Sequence, residues 1–325
     1  MLTVGLTYDL RSDYLKEGYS EEETAEFDSE ITIESVESTL RSLGYKTERI
    51  GNVKALLRDL GKGKKWDLVF NIAEGMYGIG REAQVPAILD AFQIPYVFSD
   101  PLVLSLTLHK GLTKRVIRDA GIPTADFAIV ETTDDINNVN LPYPLFAKPV
   151  AEGTGKGIDS RSKVATAKEL DELCRDLLGR FNQPVLVETY LPGREFTVGV
   201  VGTGLEARVV GVMEVVITAR AKESIYSYHT KENWRGNVEY PMATGDIEKK
   251  CVEVALGAWR CLGCRDGGRV DLKMDANGVP NFIEVNPLAG INPEHSDLPM
   301  LAGKKGVSFE QLIDMIMKSA LKRLK

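Results

Sequence analysis

The chain has 325 residues, of which 43% are apolar and 27% charged, and its formal net charge is −7. These values describe a globular protein with two or three domains or lobes, and the negative charge argues against an extended nucleic-acid surface. No apolar run is long enough to span a membrane, the start MLTVGLTYDL lacks the basic residues of a signal peptide, and only four cysteines occur. We therefore predict a cytoplasmic protein with reduced thiols and no membrane or nucleic-acid partner.

Strand and helix signals alternate over residues 1–103. Residues 29–43 predict a helix that ends at Gly44, and REAQVPAILDAF predicts a second one. Strands are predicted for MLTVGLT, YKTERI and DLVFNI. This order predicts an N-terminal α/β domain with a mostly parallel sheet. The acidic stretch GYSEEETAEFD is predicted to be a solvated loop, with a binding role as the alternative.

Two further units are predicted, over residues 104–191 and 192–325. The second is an α+β lobe in which DANG supplies the turn of a hairpin. The predicted strands of the two units are FAIV, PLFAKPV, VLVETYL, EFTVGVVG, EARVVGVMEVVI, GRVDLKMD and VPNFIEV. The predicted helices cover residues 101–120, 166–180, 246–261 and 308–324.

Three glycine-containing segments can approach a nucleotide. In AEGTGKGI, backbone N–H groups together with Thr154 and Lys156 can face a phosphate, and a polar hairpin loop is the alternative. GIGREA matches G-x-G-x-x-A but lies too far beyond the strand DLVFNI, which disfavours a nicotinamide-dependent oxidoreductase. In VETYLPGREFT, backbone groups near Glu188 can read an adenine edge and Glu195 can hold a ribose.

The last predicted hairpin carries four polar side chains on apolar strands. Side chains two apart share a strand face, so Arg269 and Asp271 face one way, as do Glu284 and Asn286. Opposing residues of paired strands lie roughly 5 Å apart. The oxygen donors can therefore surround one or two cations such as Mg²⁺, whereas surface salt bridging does not explain their burial. Lys148 ends another apolar strand, where a buried amine needs an anion.

Six motifs in this order resemble the ATP-grasp superfamily and, within it, the D-alanine–D-alanine ligase family. They are QIPYVFSDP, HKGLTKRVIRDAGIPT, FAKPVAEGTGKGI, VLVETYLPGREFTVGV, GRVDLKMD and FIEVNPLAGINPEHSDLP. The resemblance covers most of the chain from about Val69 onward. It implies an ATP-grasp fold, α/β and α+β, with an N-terminal parallel-sheet (pre-ATP-grasp) domain on the substrate side, a central lobe over 104–191, and a C-terminal lobe over 192–325 with the metal and substrate site.

The resemblance also implies roles for individual residues. ATP contacts are implied for Lys110, Lys148, Thr154, Glu188, Tyr190, Leu191, Glu195 and Lys231. Magnesium ligands are implied for Asp271, Glu284 and Asn286. Catalytic roles are implied for Arg269, for Lys231 and for Gly290, whose backbone N–H faces the oxyanion. Ser296 resembles a serine that holds the substrate carboxylate.

Two segments depart from the family pattern. The family has a Ser-Ala-Glu segment whose glutamate binds the first substrate's amino group, and here only Asp28 or Glu30 can stand in for it. The family's mobile-loop lysine is followed by a tyrosine, linked through a serine to that glutamate, whereas here Glu232 follows Lys231. We therefore predict that D-alanyl-D-alanine is not the main product and that the acceptor is a larger or more basic amine. The alternative is that Glu232 points outward and another residue closes the loop.

The chemistry implied is amide or peptide bond formation through an acyl phosphate. ATP and one or two Mg²⁺ ions, with Mn²⁺ as a substitute, activate a carboxylate, which a small-molecule amine then attacks. A homodimer is implied. The alternatives are an ATP-grasp ligase of a non-D-alanine substrate pair in specialised metabolism, a non-catalytic nucleotide-binding module and, more distantly, a nicotinamide-dependent oxidoreductase.

Overall fold

A computed structural model describes residues 1–218 and 235–324 of the protein. The N-terminal part forms a parallel three-stranded sheet in the order β2-β1-β3, as the alternation of strands and helices predicts. Its strands are β1 (Thr3–Tyr8), β2 (Lys46–Gly51) and β3 (Leu68–Ile72). Every residue of β3 is buried, which fits a sequence that is apolar apart from Asn71.

Two antiparallel sheets follow along the chain. The first has the order β4-β7-β5-β6, with strands β4 (Phe127–Val130), β5 (Leu145–Pro149), β6 (Lys163–Val164) and β7 (Val185–Thr189). The second has the order β10-β9-β8-β11-β12, with strands β8 (Glu195–Val201), β9 (Arg208–Ile217), β10 (Val238–Glu239), β11 (Gly267–Met274) and β12 (Pro280–Asn286). Since β7 leads directly into β8, the two sheets are joined by the short segment 190–194.

Helices cover these sheets. They are α1 (Arg11–Lys16), α2 (Glu30–Ser42), α3 (Val53–Gly61), α4 (Gln84–Ala91), α5 (Pro101–Leu108), α6 (Lys110–Asp119), α7 (Ala167–Phe181), α8 (Asp246–Cys261), α9 (Asp297–Lys304) and α10 (Phe309–Leu321). The helix predicted over 101–120 is wrong in one respect, because the chain breaks at His109. The His109 imidazole accepts a hydrogen bond from Leu112 N and so caps the start of α6. Helices α1, α3 and α9 were not predicted from the sequence.

The N-terminal sheet shares its core with the C-terminal helices. Residues of α2, among them Ile33 and Leu40, pack in one buried cluster with Leu312 and Ile316 of α10. The four-stranded sheet has a separate core that it shares with α7. This division places the N-terminal sheet and the C-terminal helices in one packed body, with the four-stranded sheet beside it.

The cysteines, the membrane prediction and the acidic stretch can each be compared with the structure. All four cysteines are free thiols, of which Cys261 is exposed and the others are buried. Among the helices that the structure describes, none has the length and apolar character needed to cross a membrane. The acidic stretch 18–28 is exposed at Glu21–Glu23, but its end turns inward.

Candidate active site

The hairpin of β11 and β12 brings four predicted polar residues together. Arg269 lies opposite Asn286, and Asp271 lies opposite Glu284. Asn286 Nδ2 lies 3.3 Å from Asp271 Oδ2, and the Thr197 hydroxyl donates a hydrogen bond of 2.9 Å to Asp271 Oδ1. Arg269 Nη2 lies 3.4 Å from Asp271 Oδ2. Two carboxylates, an amide and a guanidinium therefore share one face.

The donor set fits a hard cation that arrives with a phosphate. Asp271, Glu284 and Asn286 offer oxygen ligands, which Mg²⁺ prefers. Over residues 1–218 and 235–324, no group of three His, Cys, Asp or Glu side chains is arranged to hold a metal ion alone. Mg²⁺ usually takes one or two carboxylates and completes its shell with water and substrate phosphate oxygens, so two carboxylates and an amide suffice.

A smaller cavity of about 120 Å³ lies between the four-stranded and five-stranded sheets. The segment 190–194 and the strand β7 form one side, and the hairpin of β11 and β12 forms the other. The predicted site residues that line it are Lys148, Glu188, Tyr190, Leu191, Glu195, Arg269, Asp271 and Glu284. Leu191 is buried, and Glu195 accepts a hydrogen bond of 2.7 Å from Lys273 Nζ.

A lysine that was not predicted as a site residue, Lys114, balances the charge of Glu188 in the smaller cavity. Lys114 is fully buried, and its Nζ lies 2.6 Å from Glu188 Oε1. Lys148 Nζ lies 3.3 Å from the other oxygen of Glu188. Burial works to raise the pKa of Glu188, but the charges of Lys114 and Lys148 outweigh it and lower that pKa. The carboxylate of Glu188 is therefore engaged by the two lysines and holds Lys148 in place. A ligand in this cavity would then meet the backbone of β7 and not the Glu188 side chain.

A larger cavity of about 770 Å³ adjoins the smaller one, and Arg269, Glu284 and Asp297 line both. Arg269 Nη1 makes a close ion pair with Asp297. Lys110 Nζ lies 3.4 Å from Glu284 Oε2 and donates to the carbonyl of Glu152 at 2.6 Å. Other predicted residues in the larger cavity are Asp28, Lys110, Thr154, Asn286, Gly290 and Ser296.

The loop 151–157 borders the larger cavity. Thr154 has a left-handed backbone with φ of +51°, and its hydroxyl oxygen is buried without a hydrogen-bond partner in the part of the chain that the structure describes. A buried hydroxyl of this kind can donate to a ligand oxygen. Lys156, which the sequence pattern offers as a phosphate donor, instead pairs with Glu152 at 2.5 Å and with Glu26 at 3.6 Å.

Gly290 and Ser296 face each other across the turn before α9. Ser296 Oγ accepts a hydrogen bond of 3.0 Å from Asn292 N. A Cβ atom at position 290 would lie 2.9 Å from Ser296 Oγ, so glycine keeps this wall of the larger cavity open.

Carboxylates from the N-terminal part line the opposite wall. Asp28 lies in the larger cavity, whereas Glu30, the other predicted stand-in, lies outside it and pairs with Arg49. Burial and the charge of Asp9 raise the pKa of Asp28 to about 7, although a hydrogen bond with Thr32 acts to lower it.

Two further acids on that wall, Glu74 and Glu82, had no signal in the sequence analysis. Burial raises the pKa of Glu82 to about 7. Burial, together with the charges of Glu82, Glu26 and Asp28, raises the pKa of Glu74 well above its usual range. Within the described ranges, the side chains of Glu74 and Glu82 have no hydrogen-bond or ion-pair partner. The charges of Arg81 and Lys110 act to lower the pKa of Glu82, and that of Arg81 acts to lower the pKa of Glu74, but they do not outweigh burial. Lys231 and Glu232, which are predicted site residues, lie outside the described residues.

The three sheets and the cavity between two of them define an ATP-grasp ligase fold. The D-alanine–D-alanine ligase of Bacillus anthracis, in a crystal structure complexed with ATP, superposes with a TM-score of 0.75 at 20% identity, covering 99% of this chain and 98% of that one. The VanG D-Ala:D-Ser ligase of Enterococcus faecalis superposes with a TM-score of 0.74 at 21% identity, covering 98% of this chain and 99% of that one.

Sequence comparison then defines the family. The family model described as D-ala D-ala ligase C-terminus matches residues 116–318. The D-alanine–D-alanine ligase of Actinobacillus pleuropneumoniae serotype 5b is 32% identical over 289 residues, which span 87% of this chain and 90% of that protein. The chain belongs to the D-alanine–D-alanine ligase family and is an ATP-dependent carbon–nitrogen ligase. The predicted resemblance, fold class and ligase activity are confirmed, and the nicotinamide-dependent alternative finds no support.

Proposed function

We propose that the protein joins a carboxylate to a basic amine, using MgATP and an acyl phosphate intermediate. One observation carries this proposal: the two cavities meet at Arg269, Glu284 and Asp297. A nucleotide in the smaller cavity would direct its terminal phosphate to that junction, where a carboxylate in the larger cavity can reach it. Reactants held in this way gain most of their rate from positioning.

Residues of the smaller cavity would bind the nucleotide. The backbone of residues 188–191 would meet the adenine, with Tyr190 and Leu191 beside it, and Glu195 would hold the ribose. Lys148 would contact phosphate oxygens from this side, while Lys110 and Thr154 would do so from the larger cavity. Lysine is a common phosphate ligand and acts as a point charge.

Asp271, Glu284 and Asn286 would hold one or two Mg²⁺ ions. When bound, the metal neutralises phosphate charge and aligns the phosphate oxygens. Arg269 would steady the transferring phosphoryl group beside it, because its guanidinium is already held by Asp271 and Asp297.

The chemistry then needs two displacements. A carboxylate oxygen of the first substrate attacks the γ-phosphorus, the bond to the β,γ-bridging oxygen breaks, and ADP leaves. The amine nitrogen attacks the carbonyl carbon of the acyl phosphate, and the tetrahedral intermediate collapses with loss of phosphate and a proton. The backbone N–H of Gly290 and Arg269 would stabilise the oxyanion, Ser296 would hold a substrate carboxylate, and Lys231 would act on the phosphates from its loop.

The acidic wall supports a basic amine as substrate. Asp28 would meet the amino group of the first substrate. Burial favours the neutral forms of Glu74 and Glu82. An ammonium or guanidinium group of the substrate would stabilise their ionised forms and pair with them, which a neutral methyl side chain such as that of alanine cannot do. If Glu232 were near Asp28, it would add like-charge repulsion that a basic substrate group would relieve. A homodimer and a cytoplasmic location stay predictions.

A substrate screen tests the proposal. Amino acids with and without a second basic group are supplied singly and in pairs, ADP release is measured, and products are identified by mass. We expect the highest kcat/KM with an acceptor that carries a basic side chain. If D-alanine alone gives the highest kcat/KM, the substrate proposal is wrong while the ligase assignment stands. ADP release that needs no amine would contradict the acyl-transfer step itself.

A further inference from the structure

Two buried side chains of the N-terminal part hold the loop 151–157. Arg81 Nη1 donates to the carbonyl of Ala151 at 2.9 Å, and Arg81 Nη2 donates to Glu26 Oε2 at 2.8 Å. The other oxygen of Glu26 accepts a hydrogen bond of 2.6 Å from Gly153 N. The pair therefore grips the loop by one carbonyl and one N–H group. We call it the Glu26–Arg81 clamp.

The clamp is shielded from solvent. The exposed fraction of the side chain is 8% for Arg81 and 10% for Glu26. Burial works to raise the pKa of Glu26, but the charges of Arg81 and Lys156 outweigh it and lower that pKa, which keeps the carboxylate ionised. Charge-assisted hydrogen bonds away from water are shorter and stronger than neutral ones, so the clamp is a firm contact.

The loop is built to accept the clamp. A Cβ atom at position 153 would overlap Glu26 Oε1, so only glycine allows the carboxylate this close to the backbone. On the other side of the loop, Lys110 holds the carbonyl of Glu152. Residues 151–153 are therefore fixed from two sides, immediately before Thr154 with its left-handed backbone and buried hydroxyl.

The clamp joins two separate bodies of the molecule. Glu26 lies near the end of the acidic stretch and Arg81 begins the turn before α4, and both belong to the part that carries the N-terminal sheet. The loop 151–157 follows β5 of the four-stranded sheet, which has its own core. A contact between bodies with separate cores sets their relative position at the larger cavity.

We propose that Glu26 and Arg81 are positioning residues for phosphoryl transfer: they hold loop 151–157, and with it Thr154, over the ATP phosphates. This inference rests on the proposed ATP site. In the family pattern a serine and a tyrosine tie the mobile loops to an N-terminal glutamate, and the tyrosine position is Glu232 here. The Glu26–Arg81 clamp also connects the N-terminal part to a loop, but it does so through an ion pair that binds the loop backbone.

The test uses the full-length protein with the variants Glu26→Gln, Arg81→Met and the double variant. Each is measured for ATP-dependent kcat/KM with the best acceptor and for amide hydrogen exchange of peptides covering 151–157. We expect each single variant to lower kcat/KM for ATP by about tenfold, because loop placement governs alignment. Exchange in 151–157 should quicken in both. The double variant should be little worse than either single one, because both remove the same contact.

Two controls separate the clamp from general damage. Glu22→Gln removes a charge from the same acidic stretch, where Glu22 is exposed and 3.8 Å from Arg180, and it should change neither readout. Arg81→Lys keeps the charge and should recover part of what Arg81→Met loses. Thermal melting checks folding, and if Glu26→Gln does not fold, the Arg81→Met and Arg81→Lys pair gives the same test.

Other results would contradict either the clamp, the role of Glu26 or the proposed function. Unchanged exchange and unchanged ATP kcat/KM in folded single variants would overturn the clamp. A rise in the acceptor KM with Glu26→Gln alone, without any change for ATP, would instead make Glu26 a substrate ligand. Hydrogen exchange is measured without nucleotide as well. A wild-type protein without ATP turnover would therefore contradict the proposed function, while the exchange data would still decide the clamp.

Discussion

The two cavities differ in how their charges are balanced. In the smaller cavity, Glu188 meets Lys114 and Lys148, and Glu195 meets Lys273. In the larger cavity, the N-terminal wall carries Glu74 and Glu82, whose side chains have no ion-pair partner among the described residues. The balanced cavity suits a nucleotide whose phosphate charges would be met elsewhere, at Lys110 and at the proposed metal ligands. The raised pKa values of Glu74 and Glu82 in the larger cavity are the reason for proposing that the substrate brings a cation.

The junction of the cavities should give the largest effect. Glu284→Gln removes a carboxylate that both cavities share, and we expect turnover to fall by about 100-fold with little change in melting temperature. ADP release at several Mg²⁺ concentrations measures this. Glu206→Gln, at an exposed pair with Lys322, serves as the control. Normal turnover in Glu284→Gln would remove Glu284 from the metal site.

The smaller cavity should respond through the nucleotide alone. Lys148→Ala removes one proposed phosphate ligand and one partner of Glu188, so MgATP affinity should fall by about tenfold. Calorimetry with MgATP measures the affinity. Lys163→Ala removes an exposed lysine that lies 4.1 Å from the centre of the Tyr190 ring and should change affinity less. Equal MgATP affinity in Lys148→Ala and wild type would refute the phosphate role.

The larger cavity should respond through the acceptor. Glu82→Gln and Glu74→Gln keep the shape of the wall but remove its charge, so KM for a basic acceptor should rise by roughly three- to tenfold. KM for ATP should stay the same. Preference for a basic over a neutral acceptor is the quantity to compare. If both variants keep that preference, the acidic wall does not select the substrate.

The pH dependence of stability should show the smallest effect. The pKa of Glu82 is raised to about 7 from 4.5 in the unfolded chain, so the folded state binds more protons between these values. The contribution of Glu82 to stability is therefore present below pH 4.5 and is lost as pH rises to about 7.

Replacing Glu82 should make the decrease of stability with rising pH smaller. After allowance for solvent near the cavity, we expect Glu82→Gln to reduce the fall in melting temperature between pH 5 and pH 8 by roughly 1–3 °C. Differential scanning calorimetry of the two proteins without ligand gives the comparison. The same slope in both proteins would show that Glu82 titrates normally.

Local pattern was sufficient wherever neighbours in sequence stay neighbours in space. The two-residue period of β11 and β12 determined that Arg269 and Asp271 share a face with Glu284 and Asn286, and the hairpin turn determined that they meet. The helix predicted over 246–261 coincides with α8. Apolar spacing and turn chemistry depend on residues that are close in sequence, so a single sequence is enough to predict their effects.

Tertiary structure alone decided how the charges around the two cavities are paired. Glu26 reads as one acid in a solvated acidic stretch, yet it meets Arg81 of a distant turn and the backbone of Gly153. Lys114 reads as one lysine of a helix, yet it is buried against Glu188. The energy of a charge depends on which distant partners and how much water surround it, and only the packing of separate segments sets these.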